Sequence, residues 1–483
     1  MKNTVLIYFP DTRGHNFTPP YEVLFQVRAL EHFKDRIKIL DARIDNNEVE
    51  IENLLKNTSI IIISTLIKYT SITISFQLKD GISLSKRASE LSTPVIWTGM
   101  AACLLEKNIK ECCPNDLILK SNYEGYLYEI ITAFFNSKEL IGLSEIFADI
   151  NIKTNFLKTN SFDEFGDFSF DTINEKKYIH NNTIDYVATT GCINSCSFCS
   201  VPAIYRRQWT HNKTENIIKH IKYLLSNHNN INVIHFRDDN FPINKSFIFD
   251  LFKRLKDEEL NFVWSCQTSV NVLRTYTDKE LQMLFDYGCR NISLGVESGD
   301  DFILQKVTKF KTNKTAAIHL IEKILNYNIS VSVTSIISFH YNKGRDFNKT
   351  LRYLMRLKLL YPQLSMYCTV FQPIPGTEIF NELFKDGNYS LNPLENNTWT
   401  SQQKKNKLKK FEDFYFIFND KYFYKKVHSN MRKDIKLINK IFAPFIKLRF
   451  HLQCTSFLWE YALISTKLKK IKTKHKINQD TSM

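Results

Sequence analysis

IDYVATTGCINSCSFCS, residues 184–200, joins a β-forming run directly to three closely spaced cysteines. The run IDYVATTG at 184–191 is rich in β-branched and aromatic residues, and it predicts a strand. Cys192, Cys196 and Cys199 follow with the spacing CxxxCxxC, whereas the other seven of the ten cysteines are scattered along the chain. Scattered cysteines are typical of small buried hydrophobic residues, and a tight group in a reducing compartment indicates metal binding.

The number of thiolates in this loop indicates which metal centre it holds. A cubane iron–sulfur cluster needs four ligands, and the loop supplies three, so one iron would accept an exogenous ligand. An open iron can chelate the amino and carboxylate groups of a methionine moiety and pass an electron to its sulfonium, which yields a carbon radical. The alternative is a zinc site completed by His180 or His211. The aromatic Phe198 and the strands that follow favour a 4Fe–4S cluster on Cys192, Cys196 and Cys199.

Five further β-type runs follow the cysteine loop, with a helical segment between each pair. They are INVIHFRDD, NFVWSCQTS, NISLGVES, ISVSVTSIIS and MYCTVFQPI. Together with the first strand they form six βα units over residues 183–385. Such units predict a partial TIM-like barrel whose chemistry lies at the carboxyl ends of its strands. Polar residues collect at those ends, namely the cysteines, Asp238–Asp239, Gln267, Glu297–Ser298 and Gln372–Pro373.

Residues 1–136 alternate short apolar strands with helix-like segments. The strands are VLIYF, IKILDA, SIIIIST and TPVIWTG, and the alternation predicts a doubly wound parallel sheet. In such a sheet ligands bind beyond the carboxyl ends of the strands, here near 10–20, 65–71 and 98–102. Residues 137–182 are polar and irregular and predict a linker that packs against both neighbours. The predicted fold class is therefore α/β, with a Rossmann-like domain, a partial (β/α)6 barrel and a basic, mainly helical region at 386–483.

Charge and hydropathy limit the expected localisation and binding partners of the protein. The start MKNTVLIYFP has no cleavable signal, and no run of about 18 apolar residues could span a membrane, so we expect a cytoplasmic protein. Of the formal charge of +15, almost all lies beyond Ser401, where about 20 Lys and Arg face about 6 Asp and Glu. The main body is nearly neutral, which argues against a nucleic-acid-binding surface on it. The tail's Lys runs flank an apolar stretch, so the tail either contacts an anionic membrane or packs on the barrel with its lysines solvated.

The cysteine motif with an aromatic residue before its last cysteine resembles the signature of the radical S-adenosylmethionine (SAM) superfamily. FRDDNF at 236–241, GVESGDD at 295–301 and QPIPGTEIF at 372–380 extend the resemblance. Together with FTPPYEVLFQVRALE they resemble the subgroup that carries an N-terminal cobalamin-binding-type domain. This subgroup includes anaerobic magnesium-protoporphyrin ester cyclase and the cobalamin-dependent radical SAM methylases. The resemblance covers about residues 3–385 and implies a 4Fe–4S cluster, SAM and cobalamin as cofactors.

The resemblance also implies individual roles for residues around the predicted site. Backbone near Phe198 would contact the adenine of SAM. Asp238 and Asp239 would hold its amino group, since a carboxylate suits an ammonium, unless they cap the following helix. Gln267, Glu297 and Ser298 would reach the ribose or the carboxylate, although Glu297 could instead form a salt bridge at the barrel rim.

Departures from the family pattern leave the reaction open. The first domain has no Asp-x-His-x-x-Gly motif, and TGMAA at 98–102 replaces the usual Gly-Gly-x-His. The leading hypothesis is a radical SAM enzyme that abstracts hydrogen from an unactivated carbon and then methylates, oxidises or rearranges a small-molecule or lipid-linked substrate. It would receive electrons from a donor such as flavodoxin or ferredoxin. The alternatives are the same enzyme with a cobalamin-free first domain, and an RNA-modifying or RNA-binding protein.

Overall fold

The computed structural model describes most of residues 3–383. The described residues are 3–11, 18–45, 47–65, 71–99, 102, 105–119, 124–137, 168–309, 313–337, 339, 341, 346–371, 373–374 and 376–383. The predicted basic region at 386–483 therefore lies outside the described residues.

The first part of the chain forms a five-stranded, wholly parallel sheet. Its strands are β1 Val5–Phe9, β2 Ile37–Asp41, β3 Ile60–Ser64, β4 Val95–Thr98 and β5 Leu117–Ile118. Its helices are α1 Tyr21–Ala29, α2 Glu48–Lys56, α3 Ser71–Glu90, α4 Glu106–Cys112 and α5 Glu124–Ser137. The strand order β2-β1-β3-β4-β5 confirms the predicted doubly wound sheet. The pair β1/β3 is the point at which the strand order reverses.

Helices cover both faces of this sheet, which explains why its strands are continuous apolar runs. The four isoleucines of β3 are fully buried because alternate residues face opposite helix layers. Ile61 and Ile63 pack with residues of α2, α3 and α4, and Ile60 and Ile62 pack with residues of α1 and α5. The strand β5 was not expected from the sequence, because it is only two residues long.

The second sheet has six parallel strands in sequential order, β13-β12-β11-β10-β9-β6, as a partial barrel requires. The strands of this region are β6 Thr183–Tyr186, β7 Thr189–Gly191, β8 Trp209–His211, β9 Val233–Phe236, β10 Val263–Ser269, β11 Cys289–Glu297, β12 Ser330–Ile337 and β13 Ser365–Val370. The helices are α6 Ser200–Tyr205, α7 Thr214–Asn227, α8 Lys245–Asp257, α9 Val270–Leu273, α10 Asp278–Asp286, α11 Asp301–Thr308, α12 Lys314–Asn326, α13 Asp346–Leu360 and α14 Glu378–Leu383.

One strand prediction was wrong in its extent. The run at 184–191 is not a single strand, because the barrel strand β6 ends at Tyr186 and β7 pairs antiparallel with β8. The cause is a set of hydrogen bonds to Asp238, which follows the neighbouring strand β9. The Asp238 carboxylate accepts hydrogen bonds from the backbone N–H groups of Ala188 and Thr189 and so draws the chain out of the barrel sheet.

The two sheets are joined by contacts between α1 and the start of the barrel. Tyr21 donates a hydrogen bond to the Asp185 carbonyl (3.1 Å), and Thr18 donates one to the Asp185 carboxylate (2.5 Å). The Tyr21 ring packs edge-to-face on Tyr186 and Phe168 with centroid distances of 6.1 and 5.8 Å. The described end of the predicted linker thus contributes apolar contacts at this junction.

Among the described helices, none combines the length and the apolar character that crossing a membrane would demand.

Candidate functional site

The three predicted cysteines line one cavity at the carboxyl end of the barrel. The cavity has a volume of about 210 Å³, and Cys192, Cys196 and Cys199 form one side of it. Cys192 accepts hydrogen bonds at its sulfur from the Asn194 backbone N–H (3.5 Å) and from the Asn240 side-chain amide (3.3 Å). The cysteine loop is therefore held in place by polar contacts to both its own backbone and the end of β9.

The electrostatics of the three thiols favour a cationic centre. Burial raises the pKa of Cys192, Cys196 and Cys199, that of Cys199 to about 12, and the neighbouring thiols add to the increase at Cys196 and Cys199. Such thiols stay protonated unless a metal centre compensates their charge. They would release their protons when that centre binds.

The spacing of the thiols fits a cluster better than a single ion. Within the described part of the chain, no three His, Cys, Asp or Glu side chains lie close enough together to ligate one metal ion. In a cubane cluster each cysteine binds a different iron, so its ligands need not converge on one point. Neither His180 nor His211, the histidines of the zinc alternative, lines the cavity. The donor set therefore fits a cluster with three protein ligands.

The opposite wall of the cavity consists of polar residues on the inner face of the barrel. Successive side chains of a strand point to opposite faces, so every second residue faces inward. The inward residues that line the cavity are Gln267 and Ser269 on β10, Ser293, Gly295 and Glu297 on β11, and Thr334 on β12. The predicted residues Gln267 and Glu297 thus meet the cysteines in one cavity.

Glu297 has an unusual backbone and an unusual carboxyl group. Its φ is +63°, a left-handed conformation that costs a residue other than glycine about 1–3 kcal/mol. The register between β11 and β12 shifts between Gly295 and Glu297, which turns the side chain over the cavity. A Cβ atom on residue 295 would lie 2.5 Å from the Glu297 carboxylate, so a larger residue there would displace this carboxylate. Burial raises the pKa of Glu297 to about 7.

The two aspartates after β9 have separate surroundings. Asp239 lines the cavity and accepts a hydrogen bond from the Gly191 backbone N–H (2.8 Å). Asp238 does not line the cavity. It is fully buried beneath the cysteine loop, where its carboxylate binds the backbone of Ala188 and Thr189. The geometry thus fits a positioning role for Asp238, whereas a contact with SAM stays a prediction for both residues.

Ser298 likewise lies outside the cavity. Its side chain is fully buried, shares a hydrogen bond with the Thr350 hydroxyl (3.2 Å) and accepts one from the Asp300 backbone N–H (3.1 Å). These contacts fix the turn between β11 and α11. The contacts fit a positioning role for Ser298, and its direct contact with SAM stays a prediction.

Phe198 lines the cavity beside the last two cysteines. Its ring packs on Phe339 with a centroid distance of 5.9 Å, within an apolar cluster that also contains Phe371. An apolar wall at this point suits an adenine ring, and the contact of the backbone near Phe198 with adenine stays a prediction.

Asn240 and Asn194 are site residues that the sequence interpretation did not single out. The Asn240 carbonyl oxygen accepts from the Thr268 hydroxyl (2.7 Å), and its amide reaches the Cys192 sulfur. The Asn194 amide donates to the Ser269 hydroxyl (3.0 Å). The available signal was the position of Asn240 directly after Asp238–Asp239 at a strand end.

A second polar group lies under the carboxyl edge of the first sheet. The Gln26 amide donates to the hydroxyls of Ser64 (2.8 Å) and Thr98 (3.1 Å), which end β3 and β4. Gly99 follows with φ +86°, and a Cβ atom there would collide with the Thr65 backbone. The strand ends near residues 65 and 98 are thus brought together at the edge predicted to bind a ligand. Parts of those segments, 66–70 and 100–101, lie outside the described residues.

A parallel partial barrel that carries a three-cysteine loop after its first strand defines the domain class that the sequence motifs predicted. Residues 186–354 match the family model of the radical SAM superfamily, so the chain contains a radical SAM domain. The predictions of a radical SAM domain and of the α/β fold class are confirmed.

Relatives and solved structures extend the comparison beyond this domain. The chain is 25% identical over 285 residues to an uncharacterised methyltransferase of Pyrococcus horikoshii, covering 57% of this chain and 59% of the relative. It is 22% identical over 306 residues to the bacteriochlorophyllide d C-12(1)-methyltransferase of Chlorobaculum tepidum, covering 63% of each chain. The alignments thus span about three fifths of the length of these relatives.

The structure also resembles that of OxsB, a cobalamin-dependent SAM radical enzyme solved with aqua-cobalamin and SAM bound. The TM-score is 0.68 at 16% identity, covering 98% of this chain and 75% of that chain. At this identity the likeness establishes the shared fold, which confirms a Rossmann-like domain followed by a radical SAM domain.

Proposed function

We propose that this protein cleaves SAM at the cysteine-lined cavity and transfers a methyl group from cobalamin to a carbon atom of its substrate. The observation that carries the proposal is the cavity itself, in which three cysteines face Asp239, Gln267 and Glu297 at the carboxyl ends of the barrel strands. Both curated relatives described above are named methyltransferases, which favours methylation over oxidation or rearrangement.

Cys192, Cys196 and Cys199 would hold the 4Fe–4S cluster. When bound, the cluster supplies the electron that breaks a carbon–sulfur bond of SAM, and cobalamin supplies the methyl group. The protein's own contribution is to place and shield these groups. Asn240 would donate its amide to the Cys192 sulfur, and the buried loop contacts would keep the three sulfurs in position.

The polar wall of the cavity would bind SAM. Asp239 offers a carboxylate for the ammonium group, since an ionic hydrogen bond is strong in a partly buried site. Gln267 and Glu297 lie on adjacent strands and would contact the ribose or the carboxylate, with Glu297 able to donate a hydrogen bond when it is protonated. Phe198 would cover the adenine.

The first domain would bind cobalamin at its carboxyl edge. Three observations support this: the reversal of strand order between β1 and β3, the hydroxyls at the ends of β3 and β4, and the close turn at Gly99. Thr18, in the segment after β1, contacts Asp185 on the first barrel strand. The two carboxyl edges therefore adjoin, which would let the methyl donor and the SAM cavity serve one substrate.

The partners are proposed on chemical grounds. The electron that enters the cluster requires a low-potential donor such as flavodoxin or ferredoxin. The substrate would be a biosynthetic small molecule or a lipid-linked one, and the Lys-rich sequence beyond residue 400 would allow peripheral contact with an anionic membrane.

Anaerobic reconstitution of the full chain tests the proposal. We expect about four irons per chain and reductant-dependent release of 5′-deoxyadenosine from SAM, both lost in Cys196→Ala. Cys368→Ala is the matched control, because Cys368 is a buried cysteine on β13 outside the cavity. A Cys196→Ala variant that still forms 5′-deoxyadenosine would refute SAM cleavage at this site. Absence of a corrinoid absorbance after refolding with cobalamin would instead indicate a cobalamin-free first domain.

A further inference from the structure

Below the SAM cavity, the inner face of the barrel carries a second set of polar residues. His235 lies on β9, Arg237 directly follows this strand and contacts the His235 ring, and Asp239, two residues further on, lines the cavity. The last paired residues of β9 and β10 are Phe236 and Cys266, so Arg237 and Gln267 are the next residues of the two segments. The Gln267 side-chain amide donates a hydrogen bond to the carbonyl of Asp238, the residue after Arg237 (2.9 Å). Arg237 therefore adjoins the floor of the cavity.

The guanidinium of Arg237 has partners for only part of its hydrogen-bonding groups. Its Nε lies 3.5 Å from the Asp185 carboxylate, and its Nη1 lies 3.4 Å from the Nε2 of His235. The Asp185 oxygen that faces it also accepts the 2.5 Å hydrogen bond from Thr18. Within the described part of the chain, the Nη2 group of Arg237 has no hydrogen-bond partner, and the side chain is 33% exposed.

Arg43 shows what a purely structural arginine looks like in this protein. Its Nη2 and Nε bind the Asp41 carboxylate at 2.6 and 2.9 Å in a two-pronged pair, and both side chains are at most 3% exposed. Its guanidinium also lies over the Phe9 ring at 4.4 Å. Arg237 has neither the short paired contacts nor the burial. The difference indicates that part of its hydrogen-bonding capacity is kept for a ligand.

His235 fixes the orientation of Arg237 without competing with an anion. Burial lowers the pKa of His235 to about 4, since the Asp185 carboxylate, which raises it, and the charge of Arg237, which lowers it, have smaller effects. The neutral ring can accept the Arg237 N–H at Nε2 only if its proton is on Nδ1, which then donates to the Ser265 hydroxyl at 2.5 Å. The guanidinium is thus positioned by a neutral acceptor on one side and a shared carboxylate on the other.

The position of Arg237 also matches where a substrate would lie. It adjoins the floor of the SAM cavity through Gln267 and adjoins the first domain through Asp185 and Thr18. From the geometry we infer that Arg237 binds an anionic group, a carboxylate or a phosphate, of the substrate. This inference rests on the proposed function, because that function places the substrate between the SAM cavity and the first domain.

Anion binding to the full, cluster-reconstituted chain tests the inference. The thermal unfolding midpoint is followed against acetate, inorganic phosphate and neutral acetamide at constant ionic strength, with SAM absent and with SAM saturating. We expect a saturable rise with one of the two anions, retained with SAM bound, and none with acetamide. The anion that acts identifies the group as a carboxylate or a phosphate.

Variants test whether Arg237 is responsible for the stabilisation by the anion. In Arg237→Gln we expect the apparent affinity to fall at least tenfold, about 1.4 kcal/mol, and Arg237→Lys should restore part of it. Arg254→Gln is the matched control, since Arg254 pairs with Glu215 at 2.7 Å on the outer helices. An unchanged response in Arg237→Gln, no response in the wild type, or a response that saturating SAM abolishes would each overturn the inference. The last result would mean that Arg237 serves the SAM carboxylate.

The proposed function and the proposed role of Arg237 can be refuted independently of each other. Formation of 5′-deoxyadenosine by the wild-type chain is measured in the same preparation. Its absence would refute the proposed function, whereas an active enzyme whose anion response survives Arg237→Gln would refute only the assignment of Arg237.

Discussion

Replacement of Asp238 distinguishes a positioning role from a ligand-binding role. Its carboxylate accepts hydrogen bonds from the backbone N–H groups of Ala188 and Thr189, both fully buried. A hydrogen bond to a charged group contributes about 1.5–3 kcal/mol, so Asp238→Ala should cost about 3–6 kcal/mol. That loss is large against the usual 5–15 kcal/mol of a folded domain. Asp238→Asn keeps an acceptor oxygen and should cost about half as much.

Chemical unfolding measures the loss of stability, and the iron content measures the loss of cluster binding. We expect Asp238→Ala to lower the unfolding midpoint and the iron bound per chain together, because the loop that carries Cys192 loses its support. Asp238→Asn should bind SAM with an affinity close to that of the wild type. Asp239→Asn is the control, since it should weaken SAM binding with a smaller loss of stability. A stable, iron-replete Asp238→Ala variant that fails only in SAM binding would refute the reasoning.

Three further predictions concern the cavity and the tail. Burial raises the pKa of Glu297 from 4.5 to about 7, so ionisation of this carboxyl group destabilises the folded, cluster-free chain. The free energy of unfolding of Glu297→Gln, relative to that of the wild type, should therefore rise by about 1–3 kcal/mol between pH 4.5 and pH 7. A difference that stays constant across this pH range would contradict the prediction. Asn240→Leu removes the N–H···S hydrogen bond to Cys192. The reduction potential of the cluster should therefore fall by about 20–60 mV, measured by redox titration of a variant with wild-type iron content. An unchanged potential would show that this hydrogen bond does not affect the cluster. The full chain should float with anionic liposomes more than a chain truncated near residue 400, and equal flotation would argue against a membrane role for the Lys-rich tail.

Much of the fold followed from local sequence pattern. The apolar runs of the first domain predicted β1 to β4, because strands covered by helices on both faces need continuous apolar residues. The six βα units predicted the parallel barrel in its sequential strand order. The spacing of the three cysteines predicted that they face one centre, since the loop between them is too short to place them apart.

Other features depended on contacts between distant residues. The run at 184–191 has the composition of one strand, yet it divides where the Asp238 carboxylate, 49 positions along the chain, binds the Thr189 N–H. Local pattern does not contain that contact. For the same reason, β5 was missed, since it forms only by pairing with β4.

The sequence by itself determined the three-cysteine loop and the strand ends at which the chemistry lies. Only the tertiary structure decided which residues at those ends enter the cavity. Asp238 and Asp239 are adjacent and chemically identical, but successive side chains point to opposite faces, so one supports the cysteine loop and the other faces the cavity. Arg237 and Arg43 are likewise indistinguishable by composition. The burial and geometry of their aspartate partners make one structural and leave the other available to a ligand.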